Sequence, residues 1–248
     1  MSLRQCKNCL LLFRTPTDVK DYNKKFYQND YYEGVTTEIP SYGDLDNMMK
    51  NNFSNIGKNF TKWIEIFKLI NPSVKILDFG CSWGYSSYQI KKAGFDVTGY
   101  EISSPRGKFA QKNLDVDVIF NEKDLPDKAF DLVFSSHVIE HVPNPAFMID
   151  LIKRVLKPGG IFLGVTPNGS EECMKNNYHY WMSAWGRKHP FFITDTWVKK
   201  TLTGLPWFIF GENENLTGNI QMFLQDKKQM CRDLKTGHLV FGFTTPNT

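Results

Sequence analysis

The chain has 248 residues, 41% of them apolar, and its 30 basic and 26 acidic residues leave a formal charge of +4. That length is ample for a buried core and one α/β domain. A mean hydropathy of -0.38 describes a soluble globular protein. The longest apolar run near the start, Cys9 to Phe13, is far short of a bilayer span or the core of a secretory leader, so a cytoplasmic location is expected. The basic residues are scattered, with small clusters such as Lys24-Lys25 and Lys227-Lys228, and lack the concentrated footprint of a nucleic-acid groove.

Five cysteines, an odd number without a regular framework, fit a reducing compartment. The first two form Cys6-Lys7-Asn8-Cys9, a single Cys-x-x-Cys pair, and tetrahedral zinc needs four ligands, so no metal is expected. Thr15 to Gly43, rich in Tyr, Asp and Asn, reads as loops with a short helix over Asp18 to Tyr27. Tyr27, Tyr31 and Tyr32 are candidates for a lid. From Asp44 to Ile70 the apolar positions Met49, Phe53, Ile56, Phe60, Trp63, Ile64, Phe67 and Ile70 recur at helical spacing, and Asn71-Pro72 ends the stripe.

Val74 to Gly84, VKILDFGCSWG, is the most informative stretch. A short run of β-branched and aromatic residues reads as a buried strand, and the segment beyond Gly84, YSSYQIKKAG, as a helix that stops at Gly94. Glycine at 80 and 84 lets the backbone turn sharply and come close to a ligand. A second strand, Phe95 to Tyr100, leads to Glu101, 23 positions after Asp78. An acid at about that distance, roughly 20 residues on, accepts ribose hydroxyls in nucleotide-binding βαβ units, or else caps the next helix. A helix over Pro105 to Asn113, strands over Val116 to Phe120 and Phe130 to Ser135, a helix over Ala146 to Leu156 and a strand over Gly160 to Thr166 follow. The alternation predicts a doubly wound parallel sheet with its ligand at the strands' carboxyl ends.

Asp78-Phe79-Gly80-Cys81-Ser82-Trp83-Gly84, then Leu125 to Pro145 (LPDKAFDLVFSSHVIEHVPNP) and Leu156 to Asn168 (LKPGGIFLGVTPN), resemble three ordered motifs of the class I S-adenosylmethionine (SAM) dependent methyltransferases, in the broad group with ubiquinone-type and sugar-tailoring enzymes. Ser82 stands where that family has a middle glycine, and serine fits there only if its backbone stays in an ordinary region. The resemblance implies a seven-stranded, mostly parallel, Rossmann-like sheet with Phe208 to Phe210 as sixth strand and an antiparallel seventh at Asn219 to Gln225. It implies an N-terminal extension over 1–43, in which Cys6 and Cys9 are either part of a zinc ribbon whose first half is absent or a remnant of one without metal. The methyltransferase domain would cover 44–225, with an acceptor insert at 172–192, and a C-terminal tail 226–248 would lie outside the usual core.

For the cofactor, SAM with S-adenosylhomocysteine (SAH) as product, the resemblance implies Asp78, Gly80, Cys81, Gly84, Glu101, Ile102, Asn121 and Ser136. Amides of the Gly80 to Gly84 turn would meet the methionine carboxylate, Asp78 the ammonium or a water, Glu101 the ribose, and Asn121 the adenine amino group, with Glu122 or Asp124 as substitutes. Methyl transfer is a displacement that alignment alone can drive, and a base is needed only when the acceptor must lose a proton. His141, or else His137, is the candidate base, unless it is a histidine bonded to backbone. Tyr178, His179, Tyr180, Trp181, Trp185 and His189 either floor an acceptor pocket or fill a core. The acceptor is expected to be a small molecule, glycan or nucleotide sugar. Two alternatives are a nicotinamide-dependent oxidoreductase or epimerase, whose G-x-G-x-x-G turn contrasts with GCSWGY here, and a non-catalytic SAM-binding module.

Overall fold

The computed structural model describes residues 1–17, 38–186 and 189–247, the side chain of residue 55 excepted. The helix expected over Asp18 to Tyr27 and the lid tyrosines Tyr27, Tyr31 and Tyr32 lie outside these residues. Strands β1 (Ser2–Gln5) and β2 (Leu12–Thr15) form an antiparallel hairpin around the Cys6 to Cys9 turn. Within that turn the Cys9 amide donates to Cys6 Sγ at 3.5 Å and the Leu10 amide to the Cys6 carbonyl at 2.9 Å.

The apolar stripe expected to be one helix from Asp44 to Ile70 is two, α1 (Tyr42–Lys50) and α2 (Thr61–Ile70), with a single 3-10 turn at Ser54–Ile56 between them. Asn52 and Phe53 adopt φ of 47° and 55°, which breaks the helix and swings Phe53 inward to lie 6.1 Å from the Trp83 ring. Burial of a whole aromatic side chain outweighs the left-handed strain of about 1–2 kcal/mol per residue.

Strands and helices then alternate as expected: β3 (Lys75–Phe79), α3 (Tyr85–Lys92), β4 (Asp96–Tyr100), α4 (Ser104–Leu114), β5 (Asp117–Ile119), β6 (Phe130–Ser136), α5 (Pro145–Val155) and β7 (Leu156–Pro167). Short helices α6 (Glu171–Asn176) and α7 (Tyr178–Ser183) precede β8 (Phe191–Phe192) and α8 (Asp195–Thr201). The chain closes with β9 (Trp207–Gly211), α9 (Leu216–Asp226), β10 (Met230–Arg232) and β11 (His238–Thr244).

The main sheet has the order β10-β9-β11-β7-β6-β3-β4-β5 and is parallel except for β11, which runs antiparallel to both β7 and β9. The doubly wound α/β class is therefore as expected, but the antiparallel strand is not Asn219 to Gln225. Those residues lie in α9, because Leu216, Ile220 and Phe223 recur at helical spacing and are buried on one face. The antiparallel strand is His238–Thr244, inside the segment expected to lie beyond the core. Its side chains alternate across the sheet: Leu239, Phe241 and Phe243 enter the layer formed with α5 and α8, and Val240 enters the layer formed with α2, α3 and α9. An eighth, three-residue strand, β10, pairs with the edge of β9.

The hairpin at the start of the chain joins a separate sheet through β2 and β8, with Leu12 opposite Phe192. Beneath it Trp181 packs at 5.2 Å against Phe192, together with Cys173 and Ala184. Among the described residues no helix is long and apolar enough to cross a membrane.

Candidate active site

The chain winds outward through β3, β4 and β5, then crosses back to place β6 on the other flank of β3. A crevice therefore opens at the carboxyl ends of β3 and β6, where open α/β sheets receive ligands. The turn after β3 touches the loop after β6: Gly80 has φ of 85°, and a Cβ there would lie 2.4 Å from Val138 Cγ2. Gly84, with φ of 90°, approaches α4, where a Cβ would lie 2.6 Å from that of Ala110. Both positions combine left-handed backbone with close contact, so only glycine fits.

Asp78 and Glu101 end adjacent parallel strands and both are buried. The Ser86 and Ser87 hydroxyls donate to Asp78 Oδ2 at 2.5 and 2.6 Å, fastening α3 to β3. Glu101 accepts the Ser82 amide on Oε2 at 2.9 Å and the Ser103 amide on Oε1 at 2.7 Å. Burial raises the pKa of both acids, against the hydrogen bonds that lower it. Two poorly hydrated carboxylates with spare lone pairs fit a ligand that brings hydroxyl or ammonium donors.

Ser82, the departure from the family's glycine, adopts φ of 54°. It was expected to require ordinary backbone; instead the left-handed geometry is held by the bond to Glu101 and by Arg106, whose Nη1 donates to Ser82 Oγ at 2.8 Å. Besides the Ser82 amide, three amides of the turn are engaged within the protein: those of Gly80 and Cys81 donate to the Tyr100 carbonyl, at 2.7 and 3.1 Å, and that of Gly84 donates to the Cys81 carbonyl at 2.9 Å. Helix α3 starts at Tyr85, and the first amides of a helix have no partner within it, so an anion would be met there more than in the turn. Cys81 is buried against Gly99, where a Cβ would lie 2.6 Å from its Sγ, and burial pushes its thiol pKa well up. Ile102 is exposed beyond Glu101, and Ser136 is half-buried at the end of β6. Asn121 is exposed and donates from Nδ2 to Asp124 Oδ2 at 2.9 Å, so the two residues considered for one role are bonded to each other.

Across the crevice, His137 follows β6 with φ of 55°. Its Nδ1 lies 3.3 Å from Oε1 of Glu140, which is 1% exposed and accepts the Thr166 hydroxyl on Oε2 at 3.1 Å. Burial alone would raise the Glu140 pKa, but the bond from His137 and the charges of His141, His137 and His189 hold it down at about 2. His141 is half-buried with its ring 4.8 Å from that of His189, whose Nδ1 lies 2.6 Å from the Ala184 carbonyl. Glu140, His141 and His189 bring ligand atoms within 4.8 Å of one another, a donor set that suits a divalent transition metal, although the sequence pointed to no metal ligand here.

The aromatic cluster of the insert is divided. Trp181 belongs to the small core under the hairpin, Tyr178 and His179 are exposed, and Tyr180 and His189 turn toward the histidines. Sequence reasoning missed His238 and Glu212, which stand 3.1 Å apart at this end of the sheet. The apolar run after His238 marks a strand, but no signal in the sequence pairs the two residues. A separate surface cavity of about 400 Å³, among Lys128, Lys153, Lys157 and Pro246, lies at the amino end of β7, away from the crevice.

A family model described as a methyltransferase domain matches residues 49–201, more than half of the chain. The chain is 36% identical over 100 residues to a ubiquinone biosynthesis O-methyltransferase of Paramagnetospirillum magneticum, covering 38% of this chain and 40% of that protein. It is 30% identical over 158 residues to the 2-methyl-6-phytyl-1,4-hydroquinone methyltransferase of a Synechocystis species, covering 60% of this chain and 48% of that protein. The chain thus spans less than half the length of either relative. Among solved structures, the plantazolicin methyltransferase BpumL with SAH superposes with a TM-score of 0.55 at 17% identity, over 91% of this chain and 96% of that one, which is a likeness of fold. With the sheet order, the crevice and its paired carboxylates in agreement, the chain belongs to the class I SAM-dependent methyltransferase family.

Proposed function

We propose that this protein transfers a methyl group from SAM to a small-molecule or glycan acceptor by direct displacement. The observation that carries the reading is the pair of buried carboxylates, Asp78 and Glu101, flanking the Gly80 to Gly84 turn at the ends of β3 and β4. Glu101 would hold the ribose diol through the lone pairs left beside its two amide bonds, and Asp78 the ammonium through Oδ1. The start of α3 would receive the methionine carboxylate. Cys81 shapes the turn from below, Ile102 would cover one adenine face, Asn121 with Asp124 would meet the adenine edge, and Ser136 would line the crevice from β6. When bound, SAM supplies an electrophilic methyl carbon on a sulfonium.

The rest of the catalysis is alignment and exclusion of water, both of which the contact between Gly80 and Val138 serves by closing the floor of the crevice. The quinone and hydroquinone names of the relatives support an organic hydroxyl or ring as acceptor. His141, the expected base, packs beside His189 and Glu140, and we assign it to ordering that loop. The test is label transfer from methyl-labelled SAM to a panel of phenols, sugars and nucleotide sugars. Labelled product from at least one of them is expected. SAH binding without transfer to any acceptor would favour a non-catalytic SAM-binding module.

A further inference from the structure

We propose that Glu212 and His238 form an acid–base pair that removes the proton from a hydroxyl acceptor, an inference that rests on the methyltransferase reading above. Because β11 runs antiparallel to β7 and β9, its first residue, His238, lies level with the carboxyl ends of its neighbours, opposite Pro167. Glu212 directly follows Gly211, the last residue of β9. The topology thus brings two residues far apart in sequence to the same edge as the crevice.

Their geometry is that of an oriented histidine. His238 Nδ1 lies 3.1 Å from Glu212 Oε2, and the Glu212 amide donates to the His238 carbonyl at 3.1 Å, so the residues clasp through side chain and backbone. Lys62 Nζ, from α2, lies 3.3 Å from the other oxygen, Oε1. The bond from His238, followed by the Lys62 charge, holds the Glu212 pKa below its usual range against the effect of burial. An ionised Glu212 requires Nδ1 to carry the proton, which leaves the Nε2 lone pair as the basic site.

The His238 side chain is 42% exposed, against 24% for Glu212, so the base is open to an acceptor and its partner is sheltered. The titratable groups that face it are His137 after β6, at 5.0 Å between rings, and Tyr180 of α7, at 6.1 Å, with Glu140 and Lys62 behind them. Tyr180 lies so close over Gly237 that a Cβ there would be 2.8 Å from its ring, which fixes the wall beside His238. His137 sits on the loop that meets Gly80 through Val138, so the pair is one ring away from the cofactor crevice.

In the step, the acceptor's O–H proton passes to His238 Nε2 while its oxygen forms the new O–C bond. The S–C bond breaks with its electron pair returning to sulfur, the imidazolium is balanced by Glu212, and the proton leaves to water with the product. The substrate class is therefore a protic nucleophile, a hydroxyl, rather than an alkene or a carbon already ionised.

The experiment uses the full chain with labelled SAM and three probes: catechol, UDP-glucose and thiophenol. Expected is methylation of a hydroxyl probe by the unaltered protein and a fall in kcat of about 100-fold or more in His238→Gln, the scale of a lost general base. SAH affinity should be unchanged, the acid limb of the pH profile should disappear, and the readily ionised thiophenol should lose less than about tenfold. Nitrogen NMR of the SAH complex should find His238 protonated at Nδ1, and Glu212→Gln should mix its tautomers.

Full hydroxyl activity in His238→Gln, an equal loss with thiophenol, or an Nε2-protonated His238 would overturn the proposal. So would transfer to thiophenol without turnover of either hydroxyl probe. Failure to bind SAH at all would instead overturn the methyltransferase reading beneath it.

Discussion

The two walls of the crevice are built in opposite ways. The wall proposed for the cofactor comes from one continuous βαβ unit, Asp78 to Glu101, and its carboxylates are buried, bonded to neighbouring hydroxyls and amides, and raised in pKa by burial. The opposite wall gathers Glu140, Tyr180, His189, Glu212 and His238 from separate segments, and its acids are lowered in pKa by histidine and lysine. A wall of one local unit can be fixed by chain geometry, whereas the gathered wall depends on the sheet holding distant strands in register. The first suits a cofactor common to a family, and the second suits an acceptor that differs from one member to the next.

Phe241→Ala gives the largest expected effect, because it removes a fully buried ring of β11 that packs 5.5 Å from Phe162. A loss of about 3–5 kcal/mol is expected in denaturant unfolding. A loss below about 1 kcal/mol would break the claim that the gathered wall hangs on this strand. Gly80→Ala tests the seam between the walls: left-handed φ and the contact with Val138 should together cost about 1–3 kcal/mol. Val138→Ala in the same chain should recover the contact part and leave the backbone part. Equal losses with and without Val138→Ala would show that the two loops do not press on each other.

The acid response sharpens the electrostatic contrast. Because the folded pKa of Glu212 lies below its ordinary 4.5, its contribution to stability is present above that value. It is lost as pH falls from the ordinary value through the lowered one. Glu212→Gln should lower stability at neutral pH and flatten that part of the acid unfolding profile; an unchanged profile would remove the His238 contact from the account. The smallest effect is expected of Ser82→Gly, where relief of left-handed strain offsets loss of the Arg106 bond, leaving a change within about 1 kcal/mol in thermal unfolding.

The same contrast explains what could be read from the chain alone. The unit proposed to hold the cofactor was legible as structure since strand, turn, helix and second strand follow one another, and β3 through β7 stand close to where alternation put them. The seventh strand was misplaced because Asn219 to Gln225 was matched to a position in an order of elements, while its helical period, set by Leu216, Ile220 and Phe223, was passed over. The break at Asn52-Phe53 was hidden because Phe53 falls on the apolar stripe yet is buried by a left-handed turn. His238 and Glu212 had no sequence signature as a pair, since only the antiparallel register of β11 against β9 brings them together.

The central claim, that SAM binds between the ends of β3 and β4, is tested most directly by calorimetric titration of the unaltered chain and Glu101→Ala with SAH, with NAD run beside it. One-to-one binding of SAH alone is expected, weakened in Glu101→Ala by about 1–3 kcal/mol for the loss of charged hydrogen bonds. Unchanged SAH affinity in a folded Glu101→Ala, or binding of NAD in place of SAH, would contradict it.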